Sequence, residues 1–473
     1  MTLTPDCPQW ELLDRYGAIE TKIRNDRKTK EEIIEITGIN CPNLAKLLLK
    51  GDNRKYITTE DNTEIFVYNG SFYESIGLQT LKNRTCYYLD DFTTKHIKQE
   101  VEDFVKNFEY VKREELNPPL NLINVKNGIF DLDTQELKPH DPNFYFLSEI
   151  PIKYNPKAKI NKIKNFKETL LNLDDIVINQ EFYGDCLHRD CRNKKALMNV
   201  GETNTGKTQE FRLLEKFLGK QNITNLTLHD LCKNEYAAAE LYGKYANIYG
   251  DIGSSNIRQI EKFLVLTGND RISARKIYQE PFYFRNYAKL AFSCNIIPDT
   301  EIKTNAYYGR WLVVEFSTVF DEETKNPNII EEITTEKEMS GLFNYALEGL
   351  YRILDNRGYS PHRTLEEVKE YMTQGKNPVR EFADTYIESD PKNVVLKSIL
   401  YDSYMDFCKL HGYPIKQSNV FSRMLKPELR RNIQLSEGHK TKGRSWQGIA
   451  CNYILQNHKN EKSQQGSLQE MGT

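Results

Sequence analysis

What this chain lacks narrows its reading before any motif is considered. No apolar run is long enough to span a bilayer, so no membrane anchor is expected. The opening Met1-Thr-Leu-Thr-Pro-Asp6 has no basic and apolar leader, and export is not expected either. Cysteine pairs at ligand spacing are scarce. Of nine cysteines only Cys186 and Cys191 come near one, with His188 between them, and no second pair completes a zinc site. Ordinary reduced thiols in a reducing cytoplasm are the expectation. Charge of one sign is lacking too: 65 Lys and Arg face 67 Asp and Glu. With a net charge of -2, any nucleic-acid role must rest on local basic patches. Internal repeats and low-complexity tracts are absent as well.

At 473 residues the chain exceeds what one hydrophobic core usually supports, so two to four domains are expected. Hydrophobic residues at 39%, charged residues at 28% and a mean hydropathy of -0.65 fit a soluble globular protein. The most informative stretch opens with the apolar Ala196-Leu-Met-Asn-Val, followed by Gly201-Glu-Thr-Asn-Thr-Gly206-Lys207-Thr208. Phe211, Leu214 and Leu218 then recur at helical spacing. Strand, G-x-x-x-x-G-K-T and helix form the phosphate-binding loop pattern, in which backbone N–H groups and a helix N-terminus face phosphate oxygens. The nucleotide-binding residues expected are Gly201, Glu202, Thr203, Asn204, Thr205, Gly206, Lys207, Thr208 and Gln209. Lys207 would reach the β- and γ-phosphates of ATP, and Thr208 would hold Mg2+.

Along the chain, Glu31–Gly38 and Asn43–Gly51 read as two short helices, and Tyr56–Glu74 as a hairpin turning near Asp61-Asn62. This order is compatible with a small winged helix and with many other α+β modules. Asn121–Thr134 reads as strand, turn, strand, with Asn127-Gly128 as the turn. His140 reads as a loop histidine, since no acid or second histidine is spaced to make it a ligand or base. After the phosphate loop the next apolar strand is Tyr245–Gly250, ending in Asp251, where a magnesium-linked acid is expected. Gly250 occupies the place of the first of two acids, so Asp251 would polarise water alone.

A helix over about 258–266 leads to a hairpin on both sides of Gln279-Glu280-Pro281, and its near side carries Arg275, Lys276 and Tyr278. Two cations beside an aromatic suit a single-stranded backbone with a stacked base; they equally suit a solvated hairpin. The core's last strand, Lys289–Cys294, ends at Asn295, and Arg310 precedes the apolar Trp311–Phe316. Alone, Asn295 is a turn residue and Arg310 a surface ion-pair residue. Farther on, Arg423, Lys426, Arg430, Arg431, Lys440, Lys442 and Arg444 dominate Lys416–Arg444, against only Glu428 and Glu437. A phosphate-facing surface fits that stretch, as does a solvated basic face.

The ordered set changes those readings. The phosphate loop, Asp251, Leu266–Phe284, Asn295 and Gly309-Arg310-Trp311 together resemble the superfamily 3 helicases, in the branch of phage, plasmid and large-DNA-virus primase–helicases that includes the poxvirus nucleoside triphosphatase. Asn127-Gly-Ile-Phe-Asp131 and Pro139-His-Asp-Pro142 resemble the domain preceding the ATPase in these proteins, so the likeness covers about Tyr56–Asn452. It implies an α/β AAA+-like P-loop ATPase core, with an N-terminal α+β region and a C-terminal winged-helix domain. It further implies a hexameric ring, with Arg310 as a finger reaching the neighbour's ATP, Asn295 as a sensor and the Arg275–Tyr278 hairpin lining a channel around one DNA strand. The domain plan expected is an α+β region over 1–117, a pre-ATPase domain over 118–179, the ATPase core over 180–355, a linker over 356–378, the winged helix over 379–455 and a polar disordered tail over 456–473.

The function implied is an ATP-dependent replicative DNA helicase of a virus, phage or plasmid-like element, with single-stranded and duplex DNA and a primase or polymerase as partners. Two alternatives stand beside it: an ATP-regulated origin-binding initiator with weak unwinding, and a helicase subunit serving a separately encoded primase. The region before Tyr56 is too short for a primase-polymerase domain and has no D-x-D pair.

Overall fold

The computed structural model describes all residues except 1–7, 26–31, 51–54, 61–63, 109, 117, 251, 253–259, 278–279, 296, 298–303, 322, 375–377, 412, 414, 416, 420, 423–424, 427–428, 430–435, 441–442 and 454–473. The chain divides into two units, Met1–Lys369 and Glu370–Thr473.

The first unit opens with α1 (Pro8–Arg15) and the antiparallel pair β1 (Ile19–Asn25) and β2 (Glu32–Ile39). A helix was the expectation over Glu31–Gly38, and the structure corrects it to strand. The β-branched Ile33, Ile34, Ile36 and Thr37 lose side-chain freedom in a helix and suit an extended chain. The helix expected next does form, as α2 (Cys41–Lys50). β3 (Tyr56–Thr59) and β4 (Ile65–Tyr68) make the expected hairpin, and β5 (Tyr73–Glu74), α3 (Gly77–Leu89), α4 (Lys95–Phe108) and β6 (Tyr110–Val111) complete a four-stranded sheet in the order β5-β4-β3-β6. Leu44, Leu47 and Leu48 of α2 share one core with Val101 and Val105 of α4.

A small sheet of β7 (Leu122–Val125), β8 (Gly128–Asp131) and β9 (Leu137–Lys138) follows. Its register pairs Val125 with Gly128, so the turn residues are Lys126-Asn127 and Gly128 already belongs to β8. Next come α5 (Lys162–Leu170) and α6 (Leu173–Leu187), then β10 (Ala196–Gly201), buried at all six positions, as a central strand of a parallel sheet should be. α7 (Lys207–Leu218), β11 (Ile223–Thr224), α8 (Leu228–Lys233), α9 (Ala237–Glu240), β12 (Ala246–Tyr249) and α10 (Glu261–Leu266) lead to the hairpin of β13 (Arg271–Ala274) and β14 (Phe282–Arg285). β15 (Lys289–Cys294), α11 (Asn305–Tyr308) and β16 (Trp311–Phe316) finish the sheet, whose order is β11-β12-β15-β10-β16 with every pairing parallel. The sheet's last strand in the chain is therefore β16, not β15.

Alternation along these strands sends Leu197, Ala291, Leu312 and Val314 to one face, against Phe211 and Leu214 of α7 and Phe182 of α6. Phe292 and Trp311 face the other way, where Phe263 of α10 stacks on Trp311 at 4.8 Å. After α12 (Ile329–Ile333), the long α13 (Glu336–Asn356) lies against α6. A Cβ at Gly184 would meet the Leu350 nitrogen at 2.4 Å, and one at Gly349 the Gln180 oxygen at 2.5 Å, so these helices touch backbone to backbone. Ile123, Phe130, Ile163 and Leu170 belong to the same hydrophobic core as Leu197 and Leu347. One core thus runs across the boundary expected at 179/180.

α14 (Leu365–Gln374) lies at the division between units. The second unit holds α15 (Pro378–Tyr386), β17 (Ile387–Leu396), α16 (Lys397–Leu410), β18 (Ser436–Lys440) and β19 (Gly443–Cys451), with an antiparallel sheet in the order β17-β19-β18. Phe382, Leu400, Tyr404, Phe407, Phe421 and Trp446 form its core.

Candidate nucleotide and nucleic-acid sites

Gly201 ends β10, and the loop over 202–206 delivers the chain to α7 with Gly206 at φ +88°, a conformation open to glycine at little cost. A Cβ at Gly206 would meet Leu170 Cδ2 at 2.4 Å, so α5 closes directly over the loop. Side chains cap the N-termini of α6 (Asn172), α8 (Thr227) and α13 (Thr335), whereas no side chain caps α7. Its first N–H groups have no intrahelical acceptor, and Lys207, Thr208 and Gln209, which carry them, line a cavity of about 930 Å³. Lys207 Nζ donates to the carbonyls of Gly201 at 2.8 Å and Glu202 at 2.5 Å, which holds the ammonium at the mouth of the loop. Thr203 to Gln209 all line the cavity, while Glu202 stands behind the loop, its carbonyl accepting from Lys207 and from Thr205 Oγ1.

Apolar side chains also line the cavity, Phe166 and Leu170 from α5 and Phe320, Ile329 and Ile333 from the segment after β16, among polar neighbours such as Lys162, Asn165, Asn326 and Glu332. Sequence alone gives none of these five a role; Phe166 and Leu170 fall in the range 118–179 expected to precede the core, and the other three carry no motif. Two contacts fix α5. The Glu338 carboxylate of α13 accepts from the backbone N–H groups of Asn161, Lys162 and Ile163 at 3.0–3.2 Å, an acid at a helix N-terminus. Lys167 reaches Glu210 of α7 at 2.7 Å and Asn179 Oδ1 of α6 at 2.5 Å, and both charged side chains are only 2% exposed. Burial pulls the Lys167 ammonium below its ordinary range, and the Glu210 charge opposes that shift. Lys167→Met would strand a buried carboxylate and is expected to cost about 3–5 kcal/mol in denaturant unfolding. Adding Glu210→Met should recover much of the loss; a double variant no more stable than the single would contradict the pairing.

At the C-terminal ends of the strands, Gly250, Ser293 and Asn295 line the same cavity. Asn295 is exposed, with its Nδ2 3.5 Å from Thr203 Oγ1, which puts its amide beside the loop. Asp251 lies outside the described residues. A Cβ at Gly250 would meet nothing closer than Ser293 Oγ at 3.7 Å, so the position has room for a side chain.

Arg310 lies at the other end of the sheet. Its carbonyl accepts from Ala196 N at 2.7 Å, at the start of β10, while the loop over 202–206 leaves the end of that strand. Five residue steps at about 3.3 Å separate the two, roughly 16 Å. Arg310 Nη2 lies 3.5 Å from the Leu264 carbonyl, and burial lowers the guanidinium's pKa from its ordinary value while the Asp270 charge acts against this. Lys195, unassigned from sequence, lies next to it, donating to Gly309 O at 2.8 Å; burial first and Arg310's charge second lower its pKa.

The hairpin expected around Gln279-Glu280-Pro281 is β13–β14. Arg275 and Lys276 fall in its connecting segment, and Tyr278 lies outside the described residues. Lys276 is ion-paired to Glu64 at 2.5 Å, and Glu64 also holds Arg113 at 2.9 Å. Arg113 in turn lies over the Phe282 ring at 4.6 Å, so the N-terminal region clasps the hairpin. In the second unit Lys426 is half-buried, Lys440 and Arg444 sit on β18 and β19, and Arg423, Arg430, Arg431 and Lys442 lie outside the described residues.

His140 Nδ1 lies 3.0 Å from Asn124 Oδ1 in a half-buried polar contact. His188 is pushed down to about 4 by burial and then by the Lys289 charge, and burial pushes Cys191 up to about 11. Among the described residues no cluster of His, Cys, Asp and Glu could hold a metal, and no helix is long and apolar enough to cross a membrane.

The fold and site thus define an α/β protein built around a strand–loop–helix of phosphate-loop sequence. Three family descriptions match the chain in order: D5 N terminal like over residues 45–172, a family of unknown function (DUF5906) over 199–310, and Poxvirus D5 protein-like over 374–467. A protein named as a candidate helicase, 121R of Invertebrate iridescent virus 3, is 23% identical over 278 residues, 54% of this chain and 29% of its own length. Another so named, 184R of Invertebrate iridescent virus 6, is 23% identical over 349 residues, 63% of this chain and 35% of its own. The chain therefore spans about a third of the length of the curated relatives it matches. Among solved structures, the apo C-terminal region of NrS-1 aligns with 87% of this chain and all of its own, at 12% identity and a TM-score of 0.41. The two D5 matches and the viral relatives bear out the resemblance to the phage, plasmid and poxvirus primase–helicase branch.

Proposed function

We propose that this chain is the ATP-dependent motor of a viral or mobile-element DNA helicase, hydrolysing ATP between subunits of a ring and moving along single-stranded DNA in the host cytoplasm. The observation that carries the reading is the separation of loop and arginine. The cavity gathers Thr203–Gln209, Gly250, Ser293 and Asn295, while Arg310 stands roughly 16 Å away across the sheet. An arginine so placed serves a neighbour's nucleotide better than its own. Strand order supports an AAA+-like core: in chain order, β10, β11, β12, β15 and β16 run 2-3-4-1-5 across the sheet.

The residues present fit a nucleoside triphosphate with its divalent cation. α7 offers uncapped N–H groups, the loop holds a cation on Lys207, and the wall of Phe166, Leu170, Phe320, Ile329 and Ile333 suits a base. Bound MgATP supplies the phosphoanhydride to be cleaved. Toward it, Lys207 would neutralise β- and γ-phosphate charge and Thr208 would turn its hydroxyl to the cation. Asp251 would orient the attacking water, Asn295 would report on the γ-phosphate, and Arg310, with Lys195 beside it, would stabilise charge on the neighbour's transferred phosphoryl group.

In the second unit the order helix, strand, helix, then two strands pairing as β17-β19-β18 supports a winged-helix reading, with the basic 416–444 stretch toward DNA. Lys276 would join the DNA path by exchanging Glu64 for a phosphate. A primase or polymerase would act as a separate partner.

Gly250 favours a second reading, an origin-binding initiator whose ATPase drives assembly, because one acid of the usual pair is missing. Strand displacement on a forked duplex separates the two. The motor reading expects displacement with ATP and none with a non-hydrolysable analogue. Site-specific duplex binding without displacement would favour the initiator.

A further inference from the structure

The hairpin bears a second cationic face that the sequence reading did not single out. Along β13 and β14, exposed and buried residues alternate, leaving Arg271, Ser273, Tyr283 and Arg285 outward. The register sets Arg271 directly opposite Arg285. Like charges facing each other across a sheet are destabilising, and neither arginine has a carboxylate partner among the described ion pairs. Arg271 lies over the Tyr283 ring at 5.2 Å, and Tyr283 is 55% exposed.

Behind this face is a cavity of about 460 Å³, lined by Arg271, Tyr283 and Arg285 on one side and by Arg189 and Asp190 on the other. Arg189 is 9% exposed. Its Nη2 donates to the carbonyls of Pro118 and Pro119 at 3.0 and 2.7 Å, while its Nε and Nη1 meet no hydrogen-bond partner among the described residues. Asp190 makes no ion pair with it among the described residues; that carboxylate is held by Arg192 Nε at 2.6 Å and accepts from Arg192 N. A buried, incompletely bonded guanidinium thus backs a pocket whose rim carries two more, beside a half-exposed aromatic ring.

We propose that this cavity at the foot of the hairpin binds a phosphodiester of a single-stranded polynucleotide, with Arg271 and Arg285 on the phosphate, Arg189 deepening the positive field, and a base stacked on Tyr283. Paired guanidinium forks suit phosphate oxygens, and an aromatic platform accepts any base. The exposed aromatic is what favours a polynucleotide over a protein carboxylate. The inference rests on the helicase reading but names a contact distinct from Arg275, Lys276 and Tyr278.

The test uses the full chain, fluorescent oligo-dT and oligo-rU, and anisotropy titrations across a salt series. Arg271→Ala and Arg285→Ala should each weaken binding and lower the salt slope by about one, while Arg271→Lys retains most of the affinity. Tyr283→Ala should weaken binding roughly tenfold with the slope unchanged. All three positions are exposed, and removing either arginine relieves a like-charge contact, so folded variants are expected by thermal melting. Unaltered affinity and slope in the arginine variants, with wild-type protein binding normally, would overturn this inference alone. Wild-type protein that binds neither oligonucleotide would overturn it together with the helicase reading.

Discussion

Lys207→Ala is expected to abolish ATP hydrolysis, lowering turnover at least about a hundredfold, the usual loss when a preorganised donor is removed from a developing negative charge. The Lys207 ammonium is held by two carbonyls of its own loop, and its side chain is largely buried, so it is poised at the place where phosphate charge would arrive. Among the described residues that line the cavity, the other cations are Lys162, at the start of α5, and Lys325. The lost contacts are local, and the expected stability cost is only about 1–2 kcal/mol. The variant should therefore purify folded and still contain the core. Near-normal turnover by this variant would remove the phosphate-loop assignment.

Arg310→Ala is expected to leave nucleotide binding close to wild type and to cut hydrolysis by a factor of roughly 10³ to 10⁵, as removal of an arginine finger does. The sheet geometry makes this prediction unusual. A residue that contributes so much to turnover would sit at the opposite end of β10 from the loop it serves. Activity should then be rescued by mixing. Arg310→Ala subunits keep an intact Asp251, Asp251→Ala subunits keep an intact Arg310, and some interfaces in a mixed ring carry both. A mixture no more active than its two components would argue that the site is not shared.

The strand–loop–helix of β10 and α7, the strands β12 and β15 and the hairpin were legible because each is written in a short stretch: apolar runs for buried parallel strands, alternation for the hairpin, glycines for the loop. The strand Glu32–Ile39 was misread, although its isoleucines and threonine carried the opposite signal. β11, with two residues, is too short to leave a periodic trace. What sequence could not show was the work of α5. Its hold on Glu338 spans about 175 residues and its ion pair to Glu210 spans 43, so neither pairing is visible locally. Sequence offered the loop and Asn295 as separate candidates and the structure sets them side by side, while Arg310's distance from the loop required the sheet order. The hairpin's outward arginines were hidden for a related reason: Arg271 and Arg285 become neighbours only once the register is known.

The most direct test of the central claim is ATP hydrolysis by the purified chain, measured with and without single-stranded DNA. A polynucleotide-coupled motor predicts hydrolysis that rises when the strand is added and vanishes in Lys207→Ala. Hydrolysis indifferent to DNA at saturating strand, or none in either condition while ATP still binds, would contradict it.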